Sequence, residues 1–328
     1  MLALLLRRAL SGAAVVFGVL TLMFFLLRLA PGDPARLLVG PAATEAQVSA
    51  QRHALGLDRP LPAQYATWLG RFVQGDWGIS IATGRPVAHT LAEAWPATVR
   101  LVGISLVLSY LLGIAIGVLQ AMRGGRLDTA LSVVTVTLFA MPGYWLGLML
   151  VMVFTYETRM LPAFGAAGFD SDFLTGWERI ADRLRHLALP LATLTLIGVG
   201  GTARYVRGAM LDVAGAPFVA IARAKGLSPA RVAVRHVLRN ALIPVVTLLG
   251  LSLPALFSGA VFIEAIFAWP GVGRVLVNAV GARDYPMVMA ATAVSASLVV
   301  AGNLLAEALV GWADPRVRAD AHGARRAE

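Results

Sequence analysis

Side chains that usually carry chemistry are sparse in this chain. It has no cysteine, which removes thiolate catalysis, disulfides, iron–sulfur clusters and Cys-type zinc sites. Its histidines are His53, His89, His186, His236 and His322. None stands in an H-E-x-x-H pattern, and no two lie four residues apart, the spacing that sets two imidazoles on one helix face. They read as surface or interface residues, and no metal site is expected. The single lysine, Lys225, lies between Ala224 and Gly226. A P-loop needs Gly-Lys-Ser/Thr so that the lysine reaches the phosphates. If ATP drives this protein, another chain binds the nucleotide. No catalytic residue and no cofactor are expected on this one.

The most patterned polar segment is 204–239. Pro217 suits the first turn of a helix, where its missing N–H costs nothing. Phe218–Lys225 contains no breaker, and Gly226 suits the position just past a helix end. Ser228 and Pro229 read as the cap and first residue of a second helix. The first helix has only about two turns and would be marginal alone, so it must pack on something. Phe218, Ile221 and Ala222 give it an apolar edge, while Arg223 and Lys225 lie on other faces. The second helix carries Arg231, Arg235 and Arg239 as a basic stripe, and Val234, Val237, Leu238 and Ala241 as an apolar one. It reads equally as an interfacial helix with arginines at lipid phosphates or as a rigid arm joining a docking helix to the next apolar run.

The elements that hold this segment follow from composition. Hydrophobic residues are 58% of the 328, and with the 33 glycines reach about 68%, against roughly 45–50% for soluble proteins. Charged residues are 14%, against about 25%. A soluble fold cannot hide so much apolar surface, and disorder is excluded by the same numbers. Six uncharged runs approach the roughly 17–25 residues that cross a bilayer: 9–27, 101–121, 129–156, 187–203, 240–263 and 285–306. They are continuous rather than alternating, so they predict helices and not barrel strands. The third contains Pro142 and predicts a kink or tilt. At the end of the fourth, Arg204 and Arg207 can snorkel. The first run follows Arg7 and Arg8 and exceeds the 7–15 residues of a signal-peptide core, so a retained anchor is expected.

With six spans both termini share a side. That side collects 15 Lys and Arg against 5 acids, Asp128, Asp212, Asp314, Asp320 and Glu328. The positive-inside rule makes it cytoplasmic and accounts for the net charge of +10 without a nucleic-acid partner. The expected fold class is an all-α integral membrane protein. Residues 1–29 form the first transmembrane helix and 30–96 an extracytoplasmic subdomain. A five-helix transmembrane core, 97–311, includes the cytoplasmic loop 204–239 between helices 4 and 5, and 312–328 is a cytoplasmic tail. Within the subdomain, turn residues flank a helix over Thr44–Leu55 with Thr44 as its cap. The runs hold no charged residue, which disfavours a proton- or sodium-coupled secondary transporter while leaving a pore open. Glu264 and Glu307 stand just past run ends. An intramembrane enzyme would need clustered nucleophile, base or metal ligands. Glu264 reads as an external gate-loop or interface residue.

Ala222-Arg223-Ala224-Lys225-Gly226-Leu227-Ser228, followed by Arg235-His236-Val237-Leu238-Arg239-Asn240-Ala241-Leu242-Ile243-Pro244, resembles the signature loop of permease subunits in ABC importers of the dipeptide/oligopeptide/nickel class. Leu29-Ala30-Pro31-Gly32-Asp33-Pro34, Gly75-Asp76-Trp77-Gly78-Ile79-Ser80, and Glu264-Ala265-Ile266-Phe267 through Trp269-Pro270-Gly271-Val272-Gly273 match too, with Arg283-Asp284-Tyr285-Pro286 beyond. The resemblance covers nearly the whole chain. It implies six helices in the bacterial inner membrane, a second homologous permease, two ATP-binding subunits, an extracytoplasmic solute-binding protein and contact with lipid. It implies an ATPase-coupling role for Phe218, Ile221, Ala222, Arg223, Ala224, Lys225 and Gly226. In the broader importer family the loop often starts Glu-Ala-Ala, where this chain has Ala220-Ile221-Ala222, so no salt bridge is implied from position 220. Short peptides are the expected solute, with nickel complexes or other small solutes as the alternative.

Overall fold

The computed structural model describes residues 2–29, 33–40 and 42–313. Among them the chain is helical, with no strand and one isolated antiparallel bridge, Ile79 to Pro86. The helices are α1 (Leu2–Leu29), α2 (Pro34–Val39), α3 (Glu45–Ala54), α4 (Leu61–Val73), α5 (Val87–Arg123), α6 (Gly125–Ala140), α7 (Gly143–Val151), α8 (Gly176–Ala214), α9 (Pro217–Ala224), α10 (Pro229–Arg231), α11 (Arg239–Ile266), α12 (Val272–Gly281) and α13 (Tyr285–Ala313). A π-helical stretch, Met152–Glu157, continues α7, and another, Val232–Leu238, joins α10 to α11. Ala30, Pro31, Gly32 and the tail from 314 onward lie outside the described residues.

Among the described residues four helices are long and apolar enough to cross a membrane, Leu6–Leu29, Val87–Arg123, Gly176–Ala214 and Tyr285–Leu305, with a fifth span if the bent pair Gly125–Ala140 and Gly143–Glu157 counts as one. The run 129–156 is more than kinked. Helix α6 and the α7 segment meet at an angle of 105°. Met141, the residue before Pro142, is extended (φ −77, ψ 131), because the proline ring crowds the helical conformation there. Pro142 then starts α7 as its cap residue. The run 240–263 lies within the 28 residues of α11.

At 1.5 Å per residue, the 37 residues of α5 and the 39 of α8 reach about 56 and 58 Å, nearly twice the ~30 Å hydrocarbon layer. Both therefore continue beyond a span. Residues 87–96, set by sequence before the core, are the first turns of α5, and 204–214 are the last turns of α8. The two helices pack very closely. A Cβ on Gly113 would stand 2.6 Å from Thr202 Cβ, and one on Gly117 would stand 2.6 Å from the Ala203 carbonyl oxygen. Small residues four apart permit this approach where lipid offers no hydrophobic drive. Leu101, Val102, Leu189, Leu194, Ile263 and Phe267 then fill the centre between α5, α8 and α11.

The expected helix after Thr44 is α3. Thr44 accepts from the Gln47 N–H at 3.3 Å, and the Gln47 side chain accepts from the Thr44 N–H at 2.8 Å, a full capping box. Asp33 caps α2 through the Ala35 N–H (3.0 Å) and accepts from Arg52 of α3 (2.6 Å). Aromatic rings tie this region to the first helix. Phe24 lies 5.3 Å from Tyr65 and from Trp68, Trp68 lies 5.2 Å from Phe72, and Phe72 stacks on Trp77 at 5.6 Å.

Candidate functional site

Helix α9 shows two faces. Val219 and Ala222 are buried with Val206 and Met210 of α8 and with Val232 and Val237. Phe218 and Ile221 remain 43% and 57% exposed, and Arg223, Ala224 and Lys225 are exposed beside them. The apolar edge read from sequence is thus divided. Ala222 packs inward with Val219, while Phe218 and Ile221 face out. The helix ends as expected. Gly226 has φ +77, and its N–H donates to the Arg223 carbonyl at 2.9 Å. The Ser228 side chain makes no capping hydrogen bond. Its carbonyl instead accepts from the Val232 N–H at 3.0 Å.

The apolar stripe of the second helix is shifted from the expected one. Val234 is 54% exposed, and the buried positions are Val232, Val237, Ala241 and Val245. The first step is five residues and the next two are four. The five-residue step falls in the π-helical turn Val232–Leu238, where i→i+5 hydrogen bonding inserts one residue into the turn and rotates the next turns about the helix axis. Arg231, Arg235 and Arg239 stay exposed. Arg204 and Arg207, expected to snorkel, engage α6 instead. Arg204 lies over the Phe139 ring (4.9 Å). Arg207 donates through Nε and Nη2 to the two carboxylate oxygens of Asp128 at 2.7 and 2.6 Å, a bidentate pair that fixes orientation as well as distance.

At the other end of α11, the sequence Glu264 to Gly273 folds over its own carboxylate. Glu264 is fully buried. Its Oε2 accepts from the Gly273 N–H at 2.7 Å, and Thr98 Oγ1 of α5 accepts from the Val272 N–H at 2.9 Å. Side chains from two other helices thus satisfy the first donors of α12. The glycines have a steric reason. A Cβ on Gly271 would overlap the Glu264 carboxylate, and one on Gly273 would overlap Val261. Trp269 Nε1 donates to the Ala97 carbonyl at 3.1 Å. Asp284 performs a similar service for α13. It accepts from the Met287 N–H and the Ala82 N–H, both at 3.3 Å, and from the Ser80 hydroxyl.

Residues 110–319 match the binding-protein-dependent transport system inner membrane component, and residues 1–102 match the N-terminal region of such membrane components. The chain belongs to this family of inner-membrane transport components. Such a component is a permease subunit and not itself a catalytic enzyme. The oligopeptide transport system permease protein AppB of Bacillus subtilis is 38% identical over 319 residues, covering 97% of this chain and 99% of that one. The di/tripeptide transport system permease protein DppB of Pseudomonas aeruginosa is 39% identical, covering 92% and 94%. The probable D,D-dipeptide transport system permease protein DdpB of Escherichia coli is 38% identical over the same shares. An inward-facing structure of the MetNI methionine ABC transporter shares the fold of 68% of this chain and 98% of its own. The TM-score is 0.51 and the identity 18%.

Within this inner-membrane component, several contributing residues carry no strong mark in the sequence. Thr98 and Ser80 meet partners 174 and 204 positions away, so no local pattern announces them. Asp128 and Arg207 are 79 apart. Gly113 and Gly117 are different: their spacing is the small-xxx-small signal of close helix approach and is visible in sequence.

Proposed function

We propose that the chain is one half of the membrane passage of an ATP-driven importer of di- and oligopeptides. The observation that carries this is the division of α9, whose Val219 and Ala222 are locked into the chain's own core while Phe218 and Ile221 stay exposed beside Arg223 and Lys225. A two-turn helix with one face seated and the other bare is shaped to receive another subunit. The solute follows from relatives named for oligopeptides, di- and tripeptides and D,D-dipeptides.

In this reading α1, α5, the α6–α7 pair, α8, α11 and α13 make six crossings, with both ends in the cytoplasm. Residues 30–96 form the extracytoplasmic subdomain ahead of the five-helix core. Residues 204–239 are the coupling element, with Phe218, Ile221, Arg223, Ala224, Lys225 and Gly226 at its contact and Ala222, expected there too, seated against the chain's own core. The partners are a second homologous permease, two ATP-binding subunits, an external solute-binding protein and lipid. The chain needs no cofactor of its own. ATP binding draws the two ATPases together and carries α9 with them. Through Val219 and Ala222 that motion reaches α8, and through the π-helical turn it reaches α11. The spans tilt and access alternates between the two sides.

The test is Phe218→Asp combined with Ile221→Asp, which places charge on the bare face and leaves Val219 and Ala222 untouched. The variant should insert in the membrane, lose co-purifying ATPase subunits and lose ATP-dependent uptake of labelled dipeptides. Full retention of both would overturn the docking role, and nickel uptake with no response to any peptide would overturn the solute.

A further inference from the structure

Helix α6 meets its two neighbours differently. It joins α5 through Gly124 and Gly125, both at φ +60 with open space where side chains would stand, so the joint itself fixes little of the angle between the two helices. One side-chain hydrogen bond supports it, from Gln120 Nε2 to Ser132 Oγ at 3.0 Å. Against α8 the contact is continuous along one face. A Cβ on Gly200 would stand 2.8 Å from the Phe139 nitrogen and from the Thr135 carbonyl oxygen. Arg204 covers the Phe139 ring, and about one turn further on Arg207 grips Asp128. Positions 200, 204 and 207 share a helix face. Among the described residues no other side-chain hydrogen bond or ion pair joins α6 to α8. The pair stands beside the point where motion would enter, since Val206 and Met210 of α8 pack with Val219 and Ala222 of α9. The side chains of Arg207 and Asp128 are 34% and 16% exposed, and a pair this open to water adds little to stability.

We propose that Asp128 and Arg207 are positioning residues for the transport stroke: their pair makes α6 follow α8 when the ATPase subunits move α9. The inference rests on the importer reading above. Two N–H···O bonds between planar groups resist twisting as well as separation, which a single point of contact does not. Motion passed to α6 continues beyond Pro142 into α7. There a Cβ on Gly147 would stand 3.2 Å from the Phe267 ring, and Phe267 is the residue that ends α11. A stroke received at the α9 end of α8 thereby reaches the turn between α11 and α12 at the opposite end of the bundle. The Gly124-Gly125 joint lets α6 change its angle to α5 as it does so.

The experiment uses the complete complex in vesicles, with its ATPase subunits and binding protein. ATP hydrolysis and uptake of labelled dialanine are followed together, and the readout is dialanine moved per ATP. Asp128→Asn removes the charge and keeps the shape. It leaves the α9 contact untouched, so hydrolysis should continue while dialanine per ATP falls about ten-fold. Arg207→Lys keeps the charge and loses the planar fork, and should lower the ratio about three-fold. Asp128→Asn combined with Arg207→Gln should lower it no further than Asp128→Asn alone, because the same pair is lost in both. A merely structural pair gives a different pattern: hydrolysis and uptake fall together as complex is lost, and their ratio keeps its wild-type value. An unchanged ratio in Asp128→Asn therefore overturns the proposal, and so do losses that multiply in the double variant. Should Asp128→Asn fail to assemble, Arg207→Lys carries the test, an unchanged ratio again being the negative result. A wild type that hydrolyses ATP without moving dialanine removes the peptide-importer reading and the proposal with it, and does so before any variant is compared.

Discussion

Gly226 has open space where a side chain would stand, so its constraint is the backbone alone. With φ at +77, a β-branched residue is strained and asparagine is tolerated. Gly226→Val should insert normally yet lose most ATP-driven uptake, and Gly226→Asn should keep most of it. Equal uptake by all three proteins would remove the turn from the mechanism. Asp284 is constrained by partners instead. Asp284→Ala strands the Ser80 hydroxyl and two N–H groups and should cost about 1–3 kcal/mol, read as a lowered Tm of the purified chain in detergent. Gly226 was legible because helix ends leave a local signature. The role of Asp284 was not, since its Ser80 and Ala82 partners lie some two hundred positions earlier in the chain. Glu264 was recognised as lying beyond a span but not as a buried cap, because the Gly273 N–H from which it accepts, beside the Val272 N–H taken by Thr98, meets it only after α5 and α12 have folded around it.

Elements were legible where one period governs them. Helix α3 follows from a capping box readable over four residues, and α9 starts at its proline and stops at its glycine. Phase was lost where the period changed. Counting 3.6 residues per turn put Val234 inside, but the π-helical turn places Val232 and Val237 there. A lone sequence does not mark where one residue will be squeezed into a turn, because the cost is met by packing against α8 and α9. The angle at Pro142 was underestimated for a related reason. Proline forces an extended residue before it, but the direction taken after it depends on where α7 packs. The α5–α8 contact gives a test at this scale. Gly117→Val would press a side chain against the Ala203 carbonyl and Val206. It should destabilise by about 1–3 kcal/mol, whereas Gly103→Val on the same helix, with open space around it, should change little. Comparable loss of Tm in both would contradict the close packing.

For the whole molecule the proposed orientation rests on the arginine count and the proposed six crossings on the run lengths, both of which depend on the bilayer rather than on tertiary contacts. The chain has no native thiol, so single cysteines report cleanly. Ser49→Cys on α3 and Ala230→Cys on α10, both exposed, should react with an impermeant reagent from opposite sides of the membrane. Labelling of both from outside would invert or dismantle the topology. The ring-to-ring chain from Phe24 through Tyr65, Trp68 and Phe72 to Trp77 has an optical consequence as well. Chromophores held at these separations in one fixed, chiral arrangement couple their electronic transitions. The protein should therefore show a near-ultraviolet circular dichroism band that belongs to the seam between α1 and α4. Phe24→Leu, which removes the α1 ring lying against both Tyr65 and Trp68 while leaving both tryptophans in place, should weaken that band. The seam thereby carries its own spectroscopic gauge, and docking of the subdomain onto the first helix can be followed in the unlabelled protein.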